Sequence, residues 1–171
     1  GKTVMLTDIS KHFRKDKDWI VIELNPDRDL LHSFAAKLYD QKNLKDLFIK
    51  AKLDLSVLGI GVSIEKSNPF FDIENAIQAM LEVVKDKKKR VLITIDEATS
   101  NEEMKIFASA FQIFVRNELP VFLLMTGLFE NIDALQNEKN LTFLYRAPKV
   151  KLQPLDKGAV KQKYQEIFGF S

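Results

Sequence analysis

Short apolar runs alternate with helix-like patterns along most of the 171-residue chain. Three runs have the length and the aliphatic content of buried strands, at 19–24, 91–96 and 121–126. A fourth, shorter run at 150–152 is the candidate final strand. Elsewhere, apolar residues recur every three or four positions, which is typical of amphipathic helices. This spacing predicts helices at 3–13, 29–40, 44–50, 72–85, 102–117, 128–136 and 157–168.

Strands that alternate with helices predict the α/β class, and in particular a mainly parallel sheet in a three-layer α/β/α sandwich with right-handed crossovers. One segment departs from this pattern. Leu53, Leu55 and Val57 alternate with polar residues, and the alternation changes phase after Gly59. A change of phase indicates a chain reversal or a bulge. We therefore predict a β-hairpin or a bent ribbon at about 52–65.

The overall composition is that of a soluble globular protein, with 46% hydrophobic and 29% charged residues. A net charge of +2 implies no general attraction to nucleic acid or membrane. The basic run Lys87 to Arg90 is interpreted as a solvated turn before a strand, with nucleic-acid binding as the less favoured alternative. The absence of cysteine excludes disulfides and cysteine-ligated zinc. No apolar run approaches the roughly 20 residues of a membrane span, and no signal-peptide pattern is present. These observations predict a cytoplasmic protein.

Two short segments carry the candidate chemistry. Asp96 and Glu97 directly follow the apolar run from Val91 to Ile95. Carboxylates at the carboxyl end of a parallel strand lie where open α/β sheets bind ligands. The opening residues Gly1-Lys2-Thr3 match the end of the phosphate-binding pattern G-x-x-x-x-G-K-[ST]. Each signal is weak alone, but the two together, about ninety residues apart, favour a nucleotide-binding protein.

On these segments the chain resembles a P-loop ATPase of the AAA+/STAND group, in particular the bacterial and archaeal AAA ATPases related to origin-recognition proteins. The resemblance implies an AAA+ nucleotide-binding core at 1–153, with the hairpin as an insert, and the start of a helical lid at 154–171. It also implies that the chain begins within the Walker A motif. The first central strand and the earlier glycines of the phosphate loop are then expected to lie outside it.

The resemblance assigns ATP and Mg²⁺ as ligands. The phosphates are expected to be bound by Gly1, Lys2 and Thr3. Thr3 and Asp96 would hold the metal, and Glu97 would orient or deprotonate the attacking water. Thr126, at the end of the next strand, matches the sensor-1 position, which contacts the terminal phosphate. An ordinary strand-end hydroxyl explains Thr126 equally well.

The implied function is Mg²⁺-dependent ATP hydrolysis used as a conformational switch in the full-length protein. This chain is expected to be impaired in nucleotide binding, because most of the phosphate-cradling amides lie outside it. A nucleotide-binding module without turnover and a plain α/β interaction domain remain as alternatives. Besides ATP, the expected partners are a second copy, through the hairpin or an open sheet edge, and DNA or a protein bound by a further C-terminal domain.

Overall fold

The structure, a computed structural model, describes residues 1–51, 73–139, 141–153 and 156–169. Its helices are α1 (Lys2–Arg14), α2 (Leu30–Tyr39), α3 (Lys45–Lys50), α4 (Ile73–Asp86), α5 (Glu102–Arg116), α6 (Phe129–Gln136) and α7 (Lys157–Phe168), with a 3₁₀ helix at Thr142–Arg146. Its strands are β1 (Trp19–Leu24), β2 (Arg90–Ile95) and β3 (Val121–Met125). The predicted hairpin at 52–65 lies outside the described residues.

The three strands form one parallel sheet in the order β1-β2-β3. In the register, Leu24 lies beside Ile95, and Ile95 lies beside Met125. The carboxyl ends of all three strands are therefore level at one edge of the sheet. The predicted α/β class is confirmed, as are the strands at 19–24, 91–96 and 121–126, each to within one residue.

One face of the sheet packs against α2, α4 and α5 and forms the main core. Alternate residues of the strands point to this side, among them Ile22 and Ile93, which are almost completely buried. Phe34 of α2 contacts Phe107 of α5 edge to face, with ring centroids 6.4 Å apart. Burying a side chain of this size contributes about 1.5–3 kcal/mol. The apolar stripes of the predicted helices thus account for this layer.

The opposite face of the sheet is covered by α1, which contacts β1 and β2. Phe13 of α1 packs against Trp19, with ring centroids 4.5 Å apart, and Arg14 forms an ion pair with Glu23 at 2.8 Å. Helices therefore lie on both faces of the sheet. Ser10 of α1 and Thr94 of β2 are buried, and neither hydroxyl has a hydrogen-bond partner among the described residues.

The predicted final strand at 150–152 is wrong. The described residues from Ala147 to Gln153 form no strand, and Val150 is 79% exposed. A strand of three residues is stable only when a neighbouring strand pairs with it, and β2 is the only described partner of β3. Helix α7 forms where it was predicted, but it buries none of its residues. In the described parts of the chain, no helix combines the length and the apolar character that crossing a membrane requires.

Candidate phosphate and metal site

A polar cleft of about 630 Å³ opens at the carboxyl edge of the sheet. It is bounded by the start of α1 and by the loops that follow the three strands. Its lining residues are Lys2, Thr3, Leu24, Asn25, Pro26, Asp27, Asp96, Glu97, Thr99, Gly127, Leu128 and Asn131. The ends of β2 and β3 are joined beyond the sheet, because the Ala98 amide donates to the Thr126 carbonyl at 2.7 Å. The cleft therefore has a rigid floor.

Asp96 lies at the centre of the hydrogen bonds in this cleft. Its carboxylate accepts hydrogen bonds from the Thr126 hydroxyl and from the Glu97 amide, which lies 3.1 Å away, and Thr3 lines the same cleft. The Thr126 hydrogen bond is the main cause that lowers the pKa of Asp96, and Thr3, the Glu97 amide and the Lys2 charge act in the same direction. Partial burial opposes them. Asp96 is therefore ionised at neutral pH.

Lys2 is held by the loop that follows β3. Its ammonium donates a hydrogen bond of 2.7 Å to the carbonyl oxygen of Gly127. At Gly127 a Cβ atom would lie 2.8 Å from the Ala98 carbonyl oxygen and 2.9 Å from Ile132 Cδ1, so the chain can approach this closely only without a side chain. The glycine thus lets the end of β3 pass close to the loop after β2.

Glu97 has an unusual backbone conformation, with a φ angle of +57°. Lys88 and Glu118 are the other non-glycine residues with positive φ in the described chain, and each terminates a helix whose carbonyls accept the next amide. Glu97 instead follows a strand, so helix termination does not explain its geometry. Residues held in sparsely populated conformations cluster at functional sites. Its exposed carboxylate lines the cleft beside Asp96.

The first turn of α1 adds a positive dipole end to the cleft. The first amides of a helix have no partners within it, and they carry partial positive charge. Gly1 caps α1 without a side-chain hydrogen bond, and the first turn contains no acidic residue. The start of α1 is therefore not neutralised by its own side chains. Together with the Lys2 ammonium, it makes one wall of the cleft attractive to an anion.

The side-chain oxygens of Thr3 and Asp96 suit a magnesium ion whose other ligands include phosphate oxygens. No group of three or more His, Cys, Asp or Glu residues that could hold a metal occurs among the described residues. Magnesium commonly takes only one or two protein oxygens and completes its shell with water and phosphate oxygens. Thr3 and Asp96 line the same cleft, and Thr3 helps to lower the pKa of the Asp96 carboxyl group. The residues present fit Mg²⁺ delivered with a phosphate ligand.

The structure brings the predicted site residues to one place. The cleft is lined by four of them, Lys2, Thr3, Asp96 and Glu97. The Thr126 hydroxyl donates a hydrogen bond to the Asp96 carboxylate. Gly1 is the N-cap of α1, just outside the lining.

Sequence reasoning missed the wall formed by the loop after β1. Asn25 and Asp27 line the cleft, and the Asn25 side chain accepts the Asp27 amide at 2.9 Å. The loop is fixed from outside, because the Asn101 side chain donates to the Pro26 carbonyl at 2.9 Å. The parallel pairing of β1 with β2 was the available signal, since it places whatever follows Leu24 beside Asp96.

The chain matches no family model, no curated protein and no solved structure. The geometry of the cleft is therefore the basis for assigning a function.

Proposed function

We propose that the cleft binds ATP with Mg²⁺ and hydrolyses its terminal phosphoryl group, in the manner of an AAA+ P-loop ATPase used as a conformational switch. The observation that carries the proposal is the meeting of Lys2 and Thr3, at the start of a helix, with the ionised Asp96 at the end of the adjacent strand. A cation, a helix N-terminus and a metal-binding carboxylate in one cleft are the groups that phosphoryl transfer requires.

Each residue has a distinct proposed role. Lys2 would leave the Gly127 carbonyl and stabilise negative charge on the phosphate oxygens. Thr3 and Asp96 would hold the metal, which when bound neutralises charge on the transferred group. Glu97 would orient the attacking water or accept its proton, because its carboxylate is exposed in the cleft. Such assistance is worth about 10²–10⁴ in rate.

The role that the geometry favours for Thr126 is to position Asp96. Its hydroxyl already donates to the Asp96 carboxylate, and the side chain is only 6% exposed. Contact with a terminal phosphate would require that bond to break. We therefore assign Thr126 to holding the metal-binding carboxylate ionised and in place, and we do not assign it to sensing the phosphate.

The test is equilibrium binding of a fluorescent ATP analogue to the full-length protein, with and without Mg²⁺. Hydrogen bonds to charged groups contribute about 1.5–3 kcal/mol, so we expect Lys2→Met to weaken binding roughly 10- to 100-fold. Lys161→Met is the matched control, because Lys161 is an exposed lysine of α7. Equal affinities for the two variants would refute nucleotide binding at this cleft.

Turnover is tested separately by phosphate release from the Glu97→Gln variant. We expect binding to persist and the rate to fall by about 10²–10⁴. Undiminished release would show that Glu97 is not the catalytic base or the water-orienting group. No release from the unsubstituted protein, with binding intact, would leave a nucleotide-binding module without turnover.

A further inference from the structure

A second charged surface lies at the amino edge of the sheet, opposite the cleft. It is formed by residues 11–18, which lead into β1, and by residues 85–90, which lead into β2; we call it the basic edge. The two segments contain nine Lys and Arg residues and three Asp residues, so their net charge is +6. The whole chain has a net charge of +2, so the remaining residues carry −4. The basic edge is therefore strongly positive, although the total charge of the chain is small.

Hydrogen bonds to backbone carbonyl oxygens join the two segments into one surface. The Lys89 ammonium donates to the Lys17 carbonyl at 2.5 Å, and the Arg90 amide donates to the Asp18 carbonyl at 2.9 Å. Lys87 and Lys88 are exposed in the same turn. The positive φ of Lys88, +54°, belongs to the tight turn that ends α4. Lys87 and Lys88 thus lie in a turn that is held by hydrogen bonds next to the first residues of β1 and β2.

Two aromatic rings lie directly beside these charges. The Trp19 ring is half-buried, and the Arg90 guanidinium lies 5.5 Å from its centroid. The Phe122 ring centroid is 5.2 Å from that of Trp19, and Phe122 is 48% exposed. The exposed Phe122 ring and the half-buried Trp19 ring therefore form a small aromatic surface next to the Arg90 charge.

We propose that the basic edge binds single-stranded nucleic acid. Lys87 and Lys88, together with lysines of residues 11–18, would contact successive phosphates, and a base would stack on Phe122 beside Trp19. Bases can reach an aromatic ring only when they are unpaired, which favours a single strand over a duplex. The density of positive charge at this edge attracts a polyanion. The surface lies away from the cleft, and the inference does not depend on the proposed ATPase activity.

The experiment uses the only tryptophan of the chain as its probe. Oligothymidylate is added to the protein between about 50 and 200 mM salt, and quenching of Trp19 fluorescence gives the affinity. For single strands each phosphate contact contributes about 0.7 to the slope of log K against log salt. We expect Lys87→Gln with Lys88→Gln to reduce the slope by about 1.4. The matched control, Lys157→Gln with Lys161→Gln on exposed positions of α7, removes the same charge and should leave the slope unchanged.

Two further arms separate base stacking from simple charge attraction. Phe122→Leu should weaken oligothymidylate binding about tenfold and leave the binding of inorganic polyphosphate unchanged. The proposal is overturned if the slope falls equally in both double variants, if Phe122→Leu has no effect, or if Trp19 fluorescence does not respond to the oligonucleotide. It is also overturned if anionic phospholipid vesicles shift the Trp19 emission and oligothymidylate does not, because the surface would then bind lipid.

Discussion

The hydrogen bond from Thr126 to Asp96 can be tested by replacing Thr126 with valine. The substitution removes the hydroxyl and keeps nearly the same shape, so the packing of this buried residue changes little. Asp96 would still accept the hydrogen bond from the Glu97 amide. The variant therefore removes the largest single cause of the lowered Asp96 pKa and keeps the other groups of the site in place.

The expected magnitude follows from the charge and the burial of the pair. A hydrogen bond to a charged group contributes about 1.5–3 kcal/mol, and solvent near the partly buried Asp96 reduces this. We expect Thr126→Val to lower the free energy of unfolding by about 1–2 kcal/mol at neutral pH. In a chain of this size each kcal/mol changes the midpoint by about 2–4 °C.

The effect has a defined pH dependence. Because the Thr126 bond lowers the pKa of folded Asp96, its contribution is fully present above the unfolded pKa, near 3.9, and is lost as the pH falls through the lower folded pKa. The difference between the two proteins should therefore be constant from about pH 7 to 5. It should shrink as the pH approaches about 3.

Urea unfolding followed by Trp19 fluorescence measures this difference, since Trp19 lies at the start of β1 against α1. Thr99→Val is the matched control, because Thr99 lines the same cleft and its hydroxyl has no hydrogen-bond partner among the described residues. A loss of stability that stays the same at acid pH, or an equal loss in the control, would show that the bond does not act through the Asp96 charge.

Three other substitutions test the packing that supports the site. Thr94→Val removes a buried hydroxyl with no hydrogen-bond partner in the described chain, so we expect the free energy of unfolding to rise by about 1 kcal/mol. A lower free energy of unfolding, measured with urea, would contradict this. Gly127→Ala brings a Cβ atom to 2.8 Å from the Ala98 carbonyl oxygen and should lower stability by about 1–3 kcal/mol, so an unchanged thermal midpoint would argue against the close approach. Phe34→Ala, in the main core, should lower it by about 3–5 kcal/mol, and a loss below about 1 kcal/mol would mean that the ring is not buried in solution.

The strands that were predicted correctly are those whose local pattern of apolar residues is long enough to indicate a strand. Trp19–Leu24 is a run of aliphatic and aromatic residues bounded by polar turns, and it forms the predicted strand. The segment at 150–152 has only two apolar residues, Val150 and Leu152, on either side of Lys151, and it forms no strand. Pairing with a neighbour decides the fate of such a short segment, and the local sequence does not contain that information.

The site could be predicted in outline from the parallel sheet. Such a sheet aligns the ends of its strands, so Asp96 and Thr126, which follow neighbouring strands, lie close together. Two features could not be predicted in this way. The positive φ of Glu97 and the bond from Lys2 to the Gly127 carbonyl depend on backbone angles in loops, which hydrophobic periodicity does not specify.

Helix α7 buries none of its residues, and this has a consequence for its dynamics. Its ends are fixed locally, because Asp156 accepts the Ala159 amide at 2.8 Å and Gly169 ends the helix at a φ of +63°. A helix of 12 residues is marginal when only local interactions stabilise it. Its amide hydrogens should exchange with deuterium far faster than those of β2, and core substitutions such as Phe34→Ala should leave their rates unchanged. We therefore expect α7 to unfold and refold independently of the sheet.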